Sequence, residues 1–204
     1  MNRREAIAAG AAAGAMLRAP AALAQDAEAA QIENFAVGAA DAPVSVIEYA
    51  SLTCPHCARF HTEIYPRLEE DYIDTGKVRF EMREVYFDRP GLWAAMLARC
   101  GGEQRYFPIL KMLFEKQQDW TGGGGGEQIA ANLRRIGKVA GLDEGRIEAC
   151  FQDSAKAEAM VANFEENMAD HDISGTPAFV IDGTLHSNMG YDRMRSLIDD
   201  ALTG

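Results

Sequence analysis

Basic residues are scarce in this chain: 20 Lys and Arg stand against 31 Asp and Glu, for a formal net charge of −11. A surface that acidic repels nucleic-acid phosphates and anionic lipid headgroups, so neither is an expected partner. Past its first two dozen residues the chain also lacks any apolar run near the roughly 20 residues needed to cross a bilayer. The glycine run 122–126 lacks the Gly-Lys-Ser/Thr ending of a phosphate-binding loop and reads as a flexible linker. No internal repeat is present. Histidine and cysteine number only four each, and two of the cysteines stand three positions apart.

What is there is ordinary for a globular protein: 204 residues, 48% apolar and 25% charged, enough for one good-sized domain. The N-terminus differs in character. Arg3 and Arg4 form a positive start, residues 6–17 are uncharged and rich in Ala and Gly, and Ala22-Leu23-Ala24 offers a small-x-small cleavage site. This pattern predicts a signal peptide over 1–24 and a mature chain starting at Gln25. A membrane anchor fits less well, because the stretch is short and Arg18 interrupts it. The paired arginines fit a twin-arginine export signal loosely, and general secretion remains open. Either route leads to an oxidising periplasm, where disulfides persist.

Cys54-Pro55-His56-Cys57 carries the chemistry. The apolar run 44–50 before it reads as a buried strand, and Phe60, Ile64, Leu68 and Tyr72 after it recur at the spacing of an amphipathic helix. The pair therefore sits where a strand hands over to a helix. Pro55 suits the first helical position, where its missing N–H has no intrahelical partner to lose. Cys54 is then placed at the positive end of the helix dipole, beside free N–H groups that favour a thiolate. A redox dithiol is the expectation.

Residues 25–42 read as a polar arm. A strand at 44–50, a helix at about 55–74 with a kink at Pro66, and a second strand at 77–87 make a βαβ unit with parallel strands. From about 90 to 172 the apolar residues follow helical spacing alone. Strands return at 178–181 and 184–186, joined by the turn signal Asp182-Gly183, and 191–202 closes as a helix. An α/β, thioredoxin-like fold over 43–204 with an inserted helical subdomain follows from this order.

At this point the chain resembles a known family. Glu48-Tyr49-Ala50-Ser51-Leu52-Thr53 leading into the Cys-Pro-His-Cys tetrapeptide, with Gly175-Thr176-Pro177 far downstream, is similar to the DsbA-type thiol-disulfide oxidoreductases. The likeness covers nearly all of the chain after residue 24. It implies that Pro177 is cis and lies against the dithiol, with Thr176 and Pro177 bordering a substrate groove. Thr176 departs from the valine common in the best-known oxidases and is similar to the threonine of disulfide isomerases and some Gram-positive oxidases, which puts the strength of the oxidant in question.

The resemblance assigns Cys54 as the exposed nucleophile and Cys57 as the resolving sulfur. Pro55 and His56 are expected to lower the Cys54 pKa, together with the helix terminus. Glu48, an ionisable group in an apolar strand, is a candidate to take the proton of Cys57; a strand-end carboxylate reaching solvent is the alternative. Four cysteines admit three pairings. With Cys54 and Cys57 as the redox pair, an exported chain favours a structural bond between Cys100 and Cys150 over two buried thiols, and some alphaproteobacterial members of the family share such a bond. Cys54, Cys57 and His61 mimic three ligands of a metal site with no evident fourth, so no metal and no cofactor are expected. His171 and His186 are read as surface residues.

These readings lead to an expected function: a monomeric periplasmic oxidase that introduces disulfides into reduced or unfolded exported proteins and is itself reoxidised by a quinone-linked membrane partner. A disulfide isomerase or reductase is the alternative, with Thr176 in its favour but an arm at 25–42 too small for a dimerisation module. A metal-carrying thiol protein is the third reading.

Overall fold

The computed structural model describes residues 32–204, so the expected signal peptide (1–24) and the start of the arm lie outside the described residues. Five strands form one mixed sheet: β1 (Ala36–Val37), β2 (Val44–Ala50), β3 (Val78–Glu84), β4 (Ala178–Ile181) and β5 (Thr184–Ser187), in the order β1-β3-β2-β4-β5. β2 and β3 run parallel and the other neighbours antiparallel. The central β2 is buried along most of its length, as its apolar run requires of a strand covered on both faces. β3 instead alternates: Val78, Phe80, Met82 and Glu84 are buried between half-exposed Arg79, Glu81 and Arg83.

The second strand was expected to continue to residue 87. It ends at Glu84 because its ladder partner ends there, Ala50 pairing with Glu84. The turn between β4 and β5 has φ of 45° at Asp182 and 78° at Gly183, the two positive angles that match the twist of a tight hairpin. β1, only two residues long, carries no periodicity and lies within the expected arm, 25–42.

After β2 the chain enters α1 (Pro55–Arg59), a π-helical turn (Phe60–Ile64), α2 (Tyr65–Leu68) and a second π-helical turn (Glu69–Ile73). Pro66 explains the first irregularity. Its ring has no N–H and would clash with the carbonyl four residues back, and the turn widens ahead of it so that Tyr65 N–H bonds Phe60 O, five residues back. The kink expected at Pro66 is thus absorbed by a widened turn that contains His61.

The helical insertion comprises α3 (Arg89–Cys100), α4 (Glu103–Glu115), α5 (Gln117–Thr121), α6 (Gly126–Val139), α7 (Glu144–Gln152) and α8 (Ser154–Asp170). Asp88, Asp143 and Asp153 cap α3, α7 and α8, each accepting a backbone N–H at 2.7–2.9 Å, for about 1 kcal/mol apiece. Leu97, Leu113, Phe114, Trp120 and Leu133 fill the core of the insertion. Cys100 and Cys150 are disulfide-bonded, Cα atoms 6.0 Å apart, and join α3 to α7. On the sheet face that also carries Met82 and Glu84, α9 (Tyr191–Thr203) packs Met194 and Ile198 against Phe60, Leu68 and Phe80, while α8 sets Phe164 and Met168 against Tyr49 and Val180 on the opposite face.

One buried ion pair ties the insertion to the sheet. Arg99 of α3 donates from Nε and Nη2 to the two carboxylate oxygens of Glu84 at 2.8 and 2.5 Å, and Tyr106 of α4 donates to the same carboxylate at 2.7 Å. Arg99 Nη1 donates to Glu33 O at 2.7 Å, so both charged groups are hydrogen-bonded beyond the pair itself, the condition under which a desolvated charge is tolerated.

Candidate active site

Cys54 occupies the N-cap of α1 in extended conformation (φ −78°, ψ 121°), with Pro55 at the first helical position. The loop before it, Ser51–Cys54, is held from two sides by the insertion. Thr53 Oγ1 donates to Asp88 Oδ2 at 2.8 Å, and Asp88 caps α3 through its other oxygen. Gln117 of α5, buried, donates its amide to Leu52 O at 2.8 Å and Cys54 O at 3.0 Å. The helical block is therefore part of the site's scaffold.

Across the loop, the Thr176–Pro177 bond is cis, and Cys54 Sγ lies 3.5 Å from Thr176 O. The Thr176 hydroxyl is buried without a partner, yet stands close enough to both sulfurs to favour a charge on either. A groove of about 240 Å³ begins at Thr176 and Pro177 and runs beside Leu185, His186 and Ser187 of the edge strand β5.

The two sulfurs are free thiols with opposite environments. Cys54 is partly exposed and Cys57 fully buried. A hydrogen bond from the Cys57 thiol pulls the Cys54 pKa down to about 5. Partial burial opposes this, and the Thr176 side chain and the backbone N–H groups of Cys57 and His56 reinforce it. Cys57 moves the other way, pushed far up by burial first, then by the neighbouring Cys54 and the Glu48 charge. A pair split in this way has one anionic nucleophile and one protonated reserve.

Glu48 is fully buried rather than reaching solvent, and its Oε2 lies 2.7 Å from His61 Nε2. Its Oε1 is buried with no partner. The His61 ring is stacked on Phe114, centroids 4.1 Å apart and planes 10° off parallel. His61 is thus engaged by a carboxylate and an aromatic ring. Among the described residues no group of three His, Cys, Asp or Glu side chains is arranged to hold a metal ion.

The structure brings together Cys54, Pro55, Cys57, Glu48, Thr176 and Pro177, and sets Cys100 and Cys150 apart in the insertion. His56 is exposed and reaches Cys54 through its backbone N–H. His171, half-exposed, has its Nδ1 2.8 Å from Tyr49 Oη, which Arg83 also bonds. Gln117, Asp88 and the His61–Glu48 pair were missed. For Asp88 a signal existed, since an Asp before Arg-Pro-Gly is a helix-cap pattern; Gln117 carried none, because nothing local distinguishes it from a surface glutamine.

Residues 30–200 match a family model described as thioredoxin. A disulfide bond formation protein D of Bacillus cereus is 46% identical over 174 residues, 81% of this chain and 77% of that protein. A Rickettsia bellii protein named for protein-disulfide oxidoreductase activity is 32% identical over 170 residues, covering 83% of this chain. The chain spans about 64% of the length of that rickettsial relative. The crystal structure of Wolbachia pipientis alpha-DsbA1 superimposes with a TM-score of 0.76 at 28% identity, covering 84% of this chain and 92% of the other. With the split dithiol at a helix N-terminus, the cis proline beside it and a helical block inserted in the sheet domain, the chain belongs to the thioredoxin family, in the branch that holds the DsbA proteins.

Proposed function

We propose that this protein is a thiol-disulfide oxidoreductase that introduces disulfide bonds into reduced exported proteins. The observation that carries the proposal is the placing of the two sulfurs: Cys54 partly exposed at the N-cap of α1 and 3.5 Å from Thr176 O, Cys57 fully buried behind it, an arrangement that lowers the Cys54 pKa to about 5. A stabilised thiolate stabilises the reduced protein, and a stabilised reduced form makes the disulfide a strong oxidant. In the reaction a substrate thiolate attacks Cys54 of the Cys54–Cys57 disulfide, and Cys57 leaves with the electron pair. A second substrate thiolate then attacks the mixed disulfide, joins the two substrate sulfurs and releases Cys54 as the anion. The substrate loses two electrons, and the dithiol holds them until a reoxidant removes them.

Thr176, Pro177 and the groove along β5 are the proposed docking edge, where an extended segment bonds exposed backbone groups. A periplasmic location, a monomeric state and a quinone-linked membrane reoxidant belong to the same reading, supported by the N-terminal pattern and the family likeness. Among the described residues no helix is long and apolar enough to cross a membrane. The isomerase and metal-carrier readings carry less: Thr176 alone speaks for the first, and His61 is committed to Glu48. The test is oxidation of a reduced, unfolded disulfide-containing substrate by the preoxidised protein. Stoichiometric oxidation supports the proposal; reshuffling of scrambled substrate without oxidation of reduced substrate overturns it.

A further inference from the structure

Reduction of the disulfide leaves Cys57 needing a proton, and reoxidation takes that proton away again, in a place closed to solvent. Cys57 and Glu48 are both 0% exposed. The Cys54 side is the face on which a substrate would sit during the exchange. On the other side stands Glu48, near enough for its charge to act on the Cys57 thiol. Glu48 Oε2 is bonded to His61 Nε2 at 2.7 Å, and the His61 side chain keeps 5% of its surface exposed where the Glu48 side chain keeps none. His61 also lines a cleft of about 250 Å³ between α2 and α4, bordered by Tyr65, Pro66, Glu69, Pro108 and Lys111. Pro66, Pro108 and Lys111 are exposed, so the cleft reaches the surface.

Three features place the imidazole there. The widened turn Phe60–Ile64 carries His61; Phe114 of α4 stacks on one face of the ring, and Tyr65 stands 5.1 Å away at 27°. The charged or titratable groups around it are Glu48 from β2, Tyr65 from α2, Glu69 from the second π-helical turn and Lys111 from α4. Glu48 Oε1, the carboxylate oxygen that His61 does not hold, is buried and unpartnered. A buried acceptor without a donor is costly, and this oxygen is free to exchange a proton with a neighbouring group.

We infer that His61 is a proton-relay residue, which passes protons between Glu48 and the solvent of the α2–α4 cleft and so lets Cys57 change protonation while substrate covers Cys54. The inference rests on the thiol-disulfide exchange proposed above. During reduction the Cys54–Cys57 bond breaks and Cys57 leaves as a thiolate. It takes a proton from Glu48 Oε1–H, and Glu48 is reprotonated through His61 from the cleft. During reoxidation by a disulfide such as oxidised glutathione, Cys54 first carries the mixed disulfide. Cys57 then gives its proton to Glu48 and attacks Cys54, and the glutathione thiolate leaves. His61 touches neither sulfur; its part is to keep Glu48 in exchange with water.

The test uses the full protein and its His61→Gly and His61→Phe variants, oxidised by glutathione disulfide in stopped flow. Three quantities are read: the mixed-disulfide closure rate, its solvent isotope effect and the ultraviolet titration of Cys54. The relay predicts closure slowed about a hundredfold in both variants, the lower end for a positioned proton-transfer group, with the Cys54 titration in place. It also predicts that added imidazole restores the rate of His61→Gly, whose missing ring leaves space on the cleft, but not of His61→Phe. Wild-type closure rates in both variants, or a slowed rate that imidazole does not restore in folded His61→Gly, overturn the relay. Failure of the wild-type protein to oxidise reduced substrate is a different result and overturns the proposed function instead.

Discussion

Gln117 of the helical insertion donates its side-chain amide to the carbonyl oxygen of Cys54 at 3.0 Å, and to that of Leu52 at 2.8 Å. The insertion thus fixes the loop that aims the backbone N–H groups of His56 and Cys57 at the reactive sulfur. Replacing Gln117 by Leu keeps the volume and removes the donor. The expected result is a loss of about 1–3 kcal/mol in stability from two buried carbonyls, together with a raised Cys54 pKa. Thermal unfolding and ultraviolet titration read the two effects separately. A stability loss with an unmoved titration would confine Gln117 to a structural role.

The Cys100–Cys150 bond closes 50 residues of the insertion, worth about 4 kcal/mol by chain entropy. The double variant Cys100→Ala/Cys150→Ala should lose roughly 2–4 kcal/mol in denaturant unfolding. Its Cys54 titration should not change, because the bond lies in the far part of the insertion.

The split between the sulfurs sets how the redox potential depends on pH. Above about pH 5 reduction takes up one proton, at Cys57, because Cys54 stays anionic. The potential should then fall by about 30 mV per pH unit for this two-electron couple. Below pH 5 both sulfurs bind protons, and the slope should rise to about 60 mV. The sign follows from the lowered pKa: the advantage of the reduced form is complete above the ordinary thiol range near 9 and is lost as pH falls through 5. A slope of about 60 mV across pH 6–8 would contradict it.

His56 carries an exposed imidazole, while its backbone N–H acts on Cys54. His56→Ala removes the ring and keeps the N–H. The protein should become less oxidising by about fivefold in its equilibrium with glutathione, the scale of an exposed charge. An unchanged equilibrium would remove the ring from the account.

Much of this was readable in the residues. The strand–turn–helix around Cys54 followed from an apolar run, a tetrapeptide with proline at the first helical position, and a spacing of four. Asp182-Gly183 announced a hairpin because few other pairs tolerate two positive φ angles. The pairing of Cys100 with Cys150 followed from compartment and count. Gln117, His61 and the Arg99–Glu84 pair could not be read, because each acts on a partner 13 to 65 residues away. Their roles depend on how helices of the insertion settle against the sheet, and local pattern holds no record of that. Glu48 was legible as an oddity, an ionisable residue in an apolar strand, but its partner was not.

The most direct measurement is the ultraviolet absorbance of the reduced protein at thiolate wavelengths as a function of pH, with Cys54→Ser as the blank. The account predicts a single step centred at about pH 5 that vanishes in the variant. A step near the ordinary thiol value of about 8.5 would contradict the anionic Cys54 and, with it, the oxidising disulfide.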